Sequence, residues 1–164
     1  MNTETLKPTK EKIPLPELYE RYSKDIFKYS FSILKDEDEA KDAVQEVFVK
    51  YVENESSFKR NCSYKTWLLV LTRNYCYNKI KSKGFNNTSL ETQIFNKTYE
   101  TDYDTHISIR EALMKLSAED NELIYLREYE SYSYKEIAEI TEQSFENVKI
   151  KIFRARKKLR EILK

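Results

Sequence analysis

The sequence predicts an all-α fold of two small helical domains joined by a flexible linker. Three observations predict it. Apolar residues recur at spacings of three and four through most of the chain, and no stretch keeps the period-two alternation of a half-buried strand. Glycine occurs once, at Gly84, among 164 residues, where average usage of about 7% predicts roughly eleven. Tight hairpin turns are thereby nearly excluded.

The elements follow in order. Met1 to Pro14 is polar, carries Pro8 and Pro14 and shows no helical period, so residues 1–14 are expected to be a mobile tail. A first helix starts near Pro16, since proline is tolerated in a first turn, and carries Leu18, Tyr22, Ile26, Tyr29 and Ile33 as one apolar stripe. The acidic run Asp36 to Glu39 suits the positive end of a second helix with Ala40, Val44, Val47 and Tyr51 inside. Asn54 to Cys62 reads as a loop. Ser63 caps a third helix whose apolar positions are Trp67, Leu68, Leu71, Tyr75 and Ile80. These helices make a first domain over residues 15–83.

Ser82 to Thr105 holds the lone glycine, three Asn and five Thr without a period, and residues 84–105 are expected to be the linker. A second domain covers 106–164. Ile109, Leu113 and Leu116 belong to one helix, and Ser117 begins another through Leu123 and Leu126. Ser133 to Glu136 is a capping box opening a short helix with Ile137, Ala138 and Ile140. Thr141 to Ser144 turns the chain into a long helix from about Phe145 to Leu163.

Composition narrows the function. The single histidine, His106, and two cysteines, Cys62 and Cys76, are too few for a zinc site or a Cys-His nucleophile. The cysteines read as reduced thiols, and no metal or cofactor is expected. Gly-rich phosphate loops are nearly excluded as well, so the sequence argues against an enzyme. No stretch approaches the roughly 20 apolar residues of a membrane span, and the N-terminus lacks the apolar core of a secretory signal, so a cytoplasmic protein is expected.

Net charge is +1, but the charges are segregated. Asp36 to Glu55 carries eight acidic and two basic residues, and Glu111 to Glu146 ten and three. Lys149 to Lys164 carries eight basic residues and one acid, and four basic residues without an acid lie from Arg73 to Lys83. Discrete basic strips bind phosphates locally even in a neutral protein.

The strongest local pattern is Ser133 to Lys158: a short capped helix, a turn and a longer basic helix, which describes a helix-turn-helix. At about 100° per residue, Val148, Ile152, Ala155 and Leu159 fall on one buried stripe of the long helix. The other side gathers Asn147, Ile150, Lys151, Arg154, Lys157 and Lys158, flanked by Lys149 and Phe153. Side chains of these types reach base edges and phosphates from a major groove.

Asp42-Ala43-Val44-Gln45-Glu46-Val47-Phe48 resembles the most characteristic stretch of sigma-factor region two. Phe58, Tyr64-Lys65-Thr66-Trp67-Leu68 and Arg73-Asn74 resemble the promoter-melting part of that region. Leu116 to Leu159 looks like region four, with Tyr134-Lys135-Glu136-Ile137-Ala138, Asn147-Val148-Lys149 and Phe153-Arg154-Ala155-Arg156 at the family's spacing. The resemblance runs from Leu15 to about Leu163, apart from the linker. It leaves no segment for regions one or three, the pattern of the extracytoplasmic-function (ECF) class of RNA polymerase sigma factors in the sigma-70 superfamily.

The resemblance implies a division of labour. Asp42, Gln45 and Glu46 grip core RNA polymerase. Phe58, Lys59, Arg60 and Asn61, with Arg73, Asn74 and Asn78, hold the melted strand of the minus-ten element, where stacking and polar edge contacts suit unpaired bases. Asn147, Lys149, Ile150, Lys151, Phe153, Arg154, Lys157 and Lys158 read the minus-thirty-five element as duplex. The implied partners are core polymerase and promoter DNA, and the family also admits an anti-sigma factor. Trp67 is expected in the core rather than against a base.

Three positions depart from the family pattern. Arg60 stands where glycine is frequent, Thr141-Glu142-Gln143 replaces an apolar-Gly-apolar turn, and Ile150 takes a place often held by serine. The alternative reading is a helix-turn-helix regulator that does not engage polymerase. Such a protein has no need of the Asp42 to Phe48 stretch.

Overall fold

Helix α1 (Leu15–Leu34) begins behind Pro14, with a further proline in its first turn where a missing N–H costs nothing. In the computed structural model, which describes residues 12–57, 62–84 and 108–164, it buries the expected stripe from Leu18 to Ile33. Asp36 then caps α2 (Glu37–Glu53), its carboxylate accepting the Glu39 N–H at 2.9 Å. After a short 3₁₀ turn, Glu55–Ser57, Ser63 caps α3 (Tyr64–Ser82) by accepting from the Thr66 N–H at 3.1 Å. These three helices close one core around Leu18, Ile26, Val47, Phe48, Tyr51 and Leu68.

The stretch expected to be a tail is held at its inner end. Ile13 packs against this first core and its N–H donates to the Tyr64 hydroxyl at 3.3 Å, while Lys12 pairs with Glu55 at 2.8 Å. An apolar residue just outside a helix cap commonly folds back in this way. The rest of the stretch and the expected linker from Phe85 onward lie outside the described residues, as does His106.

The C-terminal set opens with α4 (Ile109–Lys115), under a capping box of Ser108 and Glu111. Its apolar content faces differently from the expectation: Ile109 is exposed, whereas Ala112 and Leu116 are buried. Ser117 caps α5 (Ala118–Ile124), which runs on as a π-helical turn, Tyr125–Tyr129. The capping box at Ser133 and Glu136 makes both reciprocal bonds and opens α6 (Tyr134–Thr141). Ser144 caps α7 (Phe145–Leu163).

The two sets share a core. One cluster of buried residues runs from Tyr29, Ile33, Leu34, Leu69 and Cys76 to Leu123, Leu126, Tyr132, Ile137, Ile140 and Ile152. Helix α3 packs on α6, and α1 on α5. This explains why α3 is buried on two sides. Trp67, Leu71 and Tyr75 border the first core as expected, while Leu69, Thr72 and Cys76 form a second buried stripe, with Leu69 and Cys76 in the shared cluster.

Candidate functional site

Asp42, Gln45 and Glu46 stand together on the exposed side of α2, because Ala43, Val44 and Val47 turn the opposite side inward. Four acidic groups precede them from Asp36 to Glu39, two of them paired with Lys41 and Lys83, so the negative ridge occupies the first part of this helix and gives way to exposed Val49 and Val52 beyond Glu46.

On α3 the residues assigned to the melted strand divide. Asn74 and Asn78 are exposed one helical turn apart. Arg73 faces the second helical set instead: its guanidinium, 20% exposed, donates from Nε to Glu122 Oε1 at 2.8 Å and lies 4.5 Å from the centre of the Tyr77 ring. Phe58, Lys59, Arg60 and Asn61 lie outside the described residues. Trp67 meets Tyr51 edge-on at 5.4 Å at the rim of the first core.

Glu122 joins the two sets, and no motif points to it. Its side chain is fully buried at the α1–α3–α5 junction. Tyr29 Oη donates to its Oε1 at 2.5 Å and Tyr77 Oη to its Oε2. Burial raises the Glu122 carboxyl above its ordinary pKa, opposed by Arg73 and the two phenols. The Tyr77 phenol is raised in turn, by burial and then by the facing carboxylate. Nearby, Lys35 Nζ donates to the carbonyl of Met114 at 3.0 Å and to that of Leu116, at the negative end of α4. Burial lowers the Lys35 ammonium, with Asp120 opposing. Asn121 Nδ2 donates to the Ser32 carbonyl at 2.6 Å. A signal for this junction exists in the buried polar residues of α5, but only a helix packed on both sides gives them meaning.

In the helix-turn-helix, Glu142 adopts φ 54° at the end of α6, and the Gln143 N–H reaches back to the Ala138 carbonyl at 3.1 Å. This left-handed closure is where glycine is ordinarily used, and here a glutamate bears it. Arg127 braces the bend, donating to the Tyr132 carbonyl at 2.8 Å and lying 4.5 Å from the centre of the Tyr134 ring. Val148, Ile152 and Ala155 are buried, which turns Asn147, Lys149, Ile150, Phe153, Arg154 and Lys157 to solvent. Two of the expected DNA contacts are already engaged. Lys151 pairs with Glu119 and Lys158 with Asp120, each at 2.6 Å, and Arg156 meets Glu128 at 2.5 Å. The acidic start of α5 thus neutralises one flank of the basic helix, while on the other flank Lys149 lies over the Phe145 ring at 5.7 Å.

Among the described residues, no group of acids, cysteines and histidines is arranged to hold a metal, and no helix is long and apolar enough to cross a membrane.

Residues 18–85 match the Sigma-70 region 2 family and residues 106–159 the family described as Sigma-70, region 4. The chain is 28% identical over 166 aligned residues to the RNA polymerase sigma factor YlaC of Bacillus subtilis (strain 168), covering 93% of each protein. It is 26% identical to the ECF RNA polymerase sigma factor SigX of the same organism, over 88% of this chain and 80% of that one. Among solved structures, the sigma factor RpoE in complex with the anti-sigma factor NepR from Bartonella quintana shares its fold, with a TM-score of 0.71 at 24% identity over 90% of this chain and 95% of that one. Two family matches in the order the helices require, over a fold that presents a negative ridge and a helix-turn-helix, place this chain in the sigma-70 superfamily, among the ECF sigma factors.

Proposed function

We propose that the chain binds core RNA polymerase through the exposed side of α2 and directs it to promoters, with residues 15–83 taking the minus-ten element and 106–164 the minus-thirty-five element. The observation that carries the reading is the coexistence of two exposed faces of opposite character. Asp42, Gln45 and Glu46 form an acidic face on α2, and Lys149, Arg154 and Lys157 a basic one on α7. An acidic helix face gains rate and register from a basic partner surface. A basic helix with exposed Asn147 and Ile150 fits a major groove, where phosphates position and base edges specify.

Asn74 and Asn78 offer amide edges to unpaired bases, and the sequence of residues 58–61 adds an aromatic, two cations and an amide of the kinds that bind single strands. This activity is selective binding with no catalytic step of its own; the polymerase supplies the chemistry. Such a protein works in the cytoplasm, where polymerase and chromosome meet. An anti-sigma factor belongs among its partners, as the solved relative in complex with one suggests.

Run-off transcription from a genomic DNA pool, with core polymerase and this protein, tests the reading. Discrete promoter-dependent transcripts are expected, and Glu46→Lys is expected to abolish them with little loss of fold, since a charge reversal at an exposed position costs about 0.5 kcal/mol or less. Tight, salt-resistant duplex binding that polymerase does not improve would favour a regulator acting alone.

A further inference from the structure

Three hydrogen-bond donors from α1 and α3 converge on one carboxylate from α5. Tyr29 Oη and Arg73 Nε both reach Glu122 Oε1, and Tyr77 Oη reaches Oε2. Among the described residues, the hydrogen-bond partners of the Glu122 side chain all come from the N-terminal set, so its carboxylate makes no such bond within its own half. The donors have the converse need. No acidic residue occurs within α3, and the Tyr29 ring is covered from the other set by Tyr125, stacked at 6.1 Å. Without α5 the cradle is a guanidinium and two phenols with no anion.

Its location decides which anion comes next. Arg73 and Tyr77, one turn apart, lie about 100° round α3 from the exposed pair Asn74 and Asn78, so a strand whose bases lie on the two amides meets the guanidinium on the adjacent side of the helix once α5 has left it. A phosphodiester presents two non-bridging oxygens sharing one negative charge, as a carboxylate does, and arginine binds both kinds of group by charge-assisted hydrogen bonds.

We propose that the Tyr29–Arg73–Tyr77 cradle is an exchangeable anion site, filled by Glu122 in the free chain and by a backbone phosphate of the melted promoter strand in the working complex. The inference rests on α3 holding the minus-ten strand. Each ligand excludes the other, so binding of the strand and separation of the two helical sets are one equilibrium. The free chain masks its own cradle, and the fraction of open molecules scales its affinity for the strand.

Glu122→Arg tests this with the full-length chain. The substitution sets like charges together inside the junction, and the side-chain hydrogen bonds it removes all cross between the two sets. Energy transfer between dyes at positions 24 and 146 reads separation. Fluorescence anisotropy reads binding of a labelled single-stranded oligonucleotide, the non-template minus-ten sequence of a promoter recovered by run-off. The expected result is loss of the high-transfer population and strand affinity at least about tenfold above wild type. Adding Arg73→Ala to Glu122→Arg is expected to keep the open population and remove the gain. The milder Tyr77→Phe, which keeps the Arg73–Glu122 contact, is expected to shift both readings the same way by a smaller factor, and it carries the test if Glu122→Arg does not fold. An unchanged transfer distance in the folded variant overturns the proposal, and so does opening without a gain in strand affinity. Wild-type holoenzyme separates the two levels: if it starts transcription while the free variants show no gain, the exchange fails and the sigma-factor reading stands.

Discussion

Lys157 and Lys158 are adjacent, both exposed, and identical in chemistry, yet the structure predicts opposite consequences for their loss. Lys158 is held by Asp120 at 2.6 Å, and that carboxylate is only 12% exposed in the first turn of α5. Lys157 projects from α7 near the middle of the exposed side. Each phosphate neutralised contributes about 0.9 to the slope of log affinity against log salt, so between about 50 and 200 mM salt one contact changes affinity by roughly threefold. Lys157→Ala is therefore expected to flatten the slope by about 0.9 with the melting temperature unchanged. Lys158→Ala is expected to leave the slope nearly as it was, because its charge is already matched. It instead deprives a largely buried carboxylate of its partner, at about 1 kcal/mol after allowing for the exposure of the lysine, which lowers Tm by roughly 2–4 °C. Holoenzyme binding to a duplex promoter across that salt range, with thermal melts of the free chain, measures both. If Lys158→Ala flattens the slope as much as Lys157→Ala and melts like wild type, the ion pair does not hold the charge and the reasoning fails.

Glu142→Gly is expected to stabilise the chain by about 1 kcal/mol, since φ 54° strains any side-chain-bearing residue; a thermal melt at or below wild type would show that the turn carries no strain. Ile150 is 48% exposed on the basic side of α7, and in the proposed promoter complex it rests on a thymine methyl. Ile150→Ser is expected to change preference at one base pair of the minus-thirty-five element by about 1 kcal/mol or less, and selection from randomised duplexes that recovers one consensus for both proteins refutes it. Burial pushes the Cys76 thiol up to about 12, and the half-buried Cys62 thiol is raised by burial as well. Iodoacetamide near neutral pH should label Cys62 well before Cys76, and equal rates would mean that the shared core opens freely.

The elements were legible because their boundaries carry local chemistry. Asp36, Ser63, Ser117, Ser133 and Ser144 each accept a backbone N–H at a helix start, and side-chain identity alone announces such a bond. The exposed positions of α2 and α7 were legible too, since one buried stripe fixes what lies opposite. What escaped was the packing of the two sets on each other. Leu69, Thr72 and Cys76 do repeat at helical spacing, but beside a first stripe they read only as a broader apolar face. The acids of α5 escaped for a related reason. Glu119 and Asp120 bind lysines far along the chain and Glu122 a remote arginine, so charge counting placed them in an acidic run without assigning any a partner.

The second stripe of α3 has a consequence for synthesis. The ribosome delivers Leu69 and Cys76 long before Leu126, Ile137 and Ile152, the residues of the same buried cluster that complete it. At about 5–20 residues per second, the nascent N-terminal helices spend several seconds with that side uncovered. During this interval the chain presents an apolar helix face to chaperones and proteases, and a slowly translated message lengthens it. The amount of active protein in a cell would then depend on the speed of translation through residues 85–152 as well as on how often it begins.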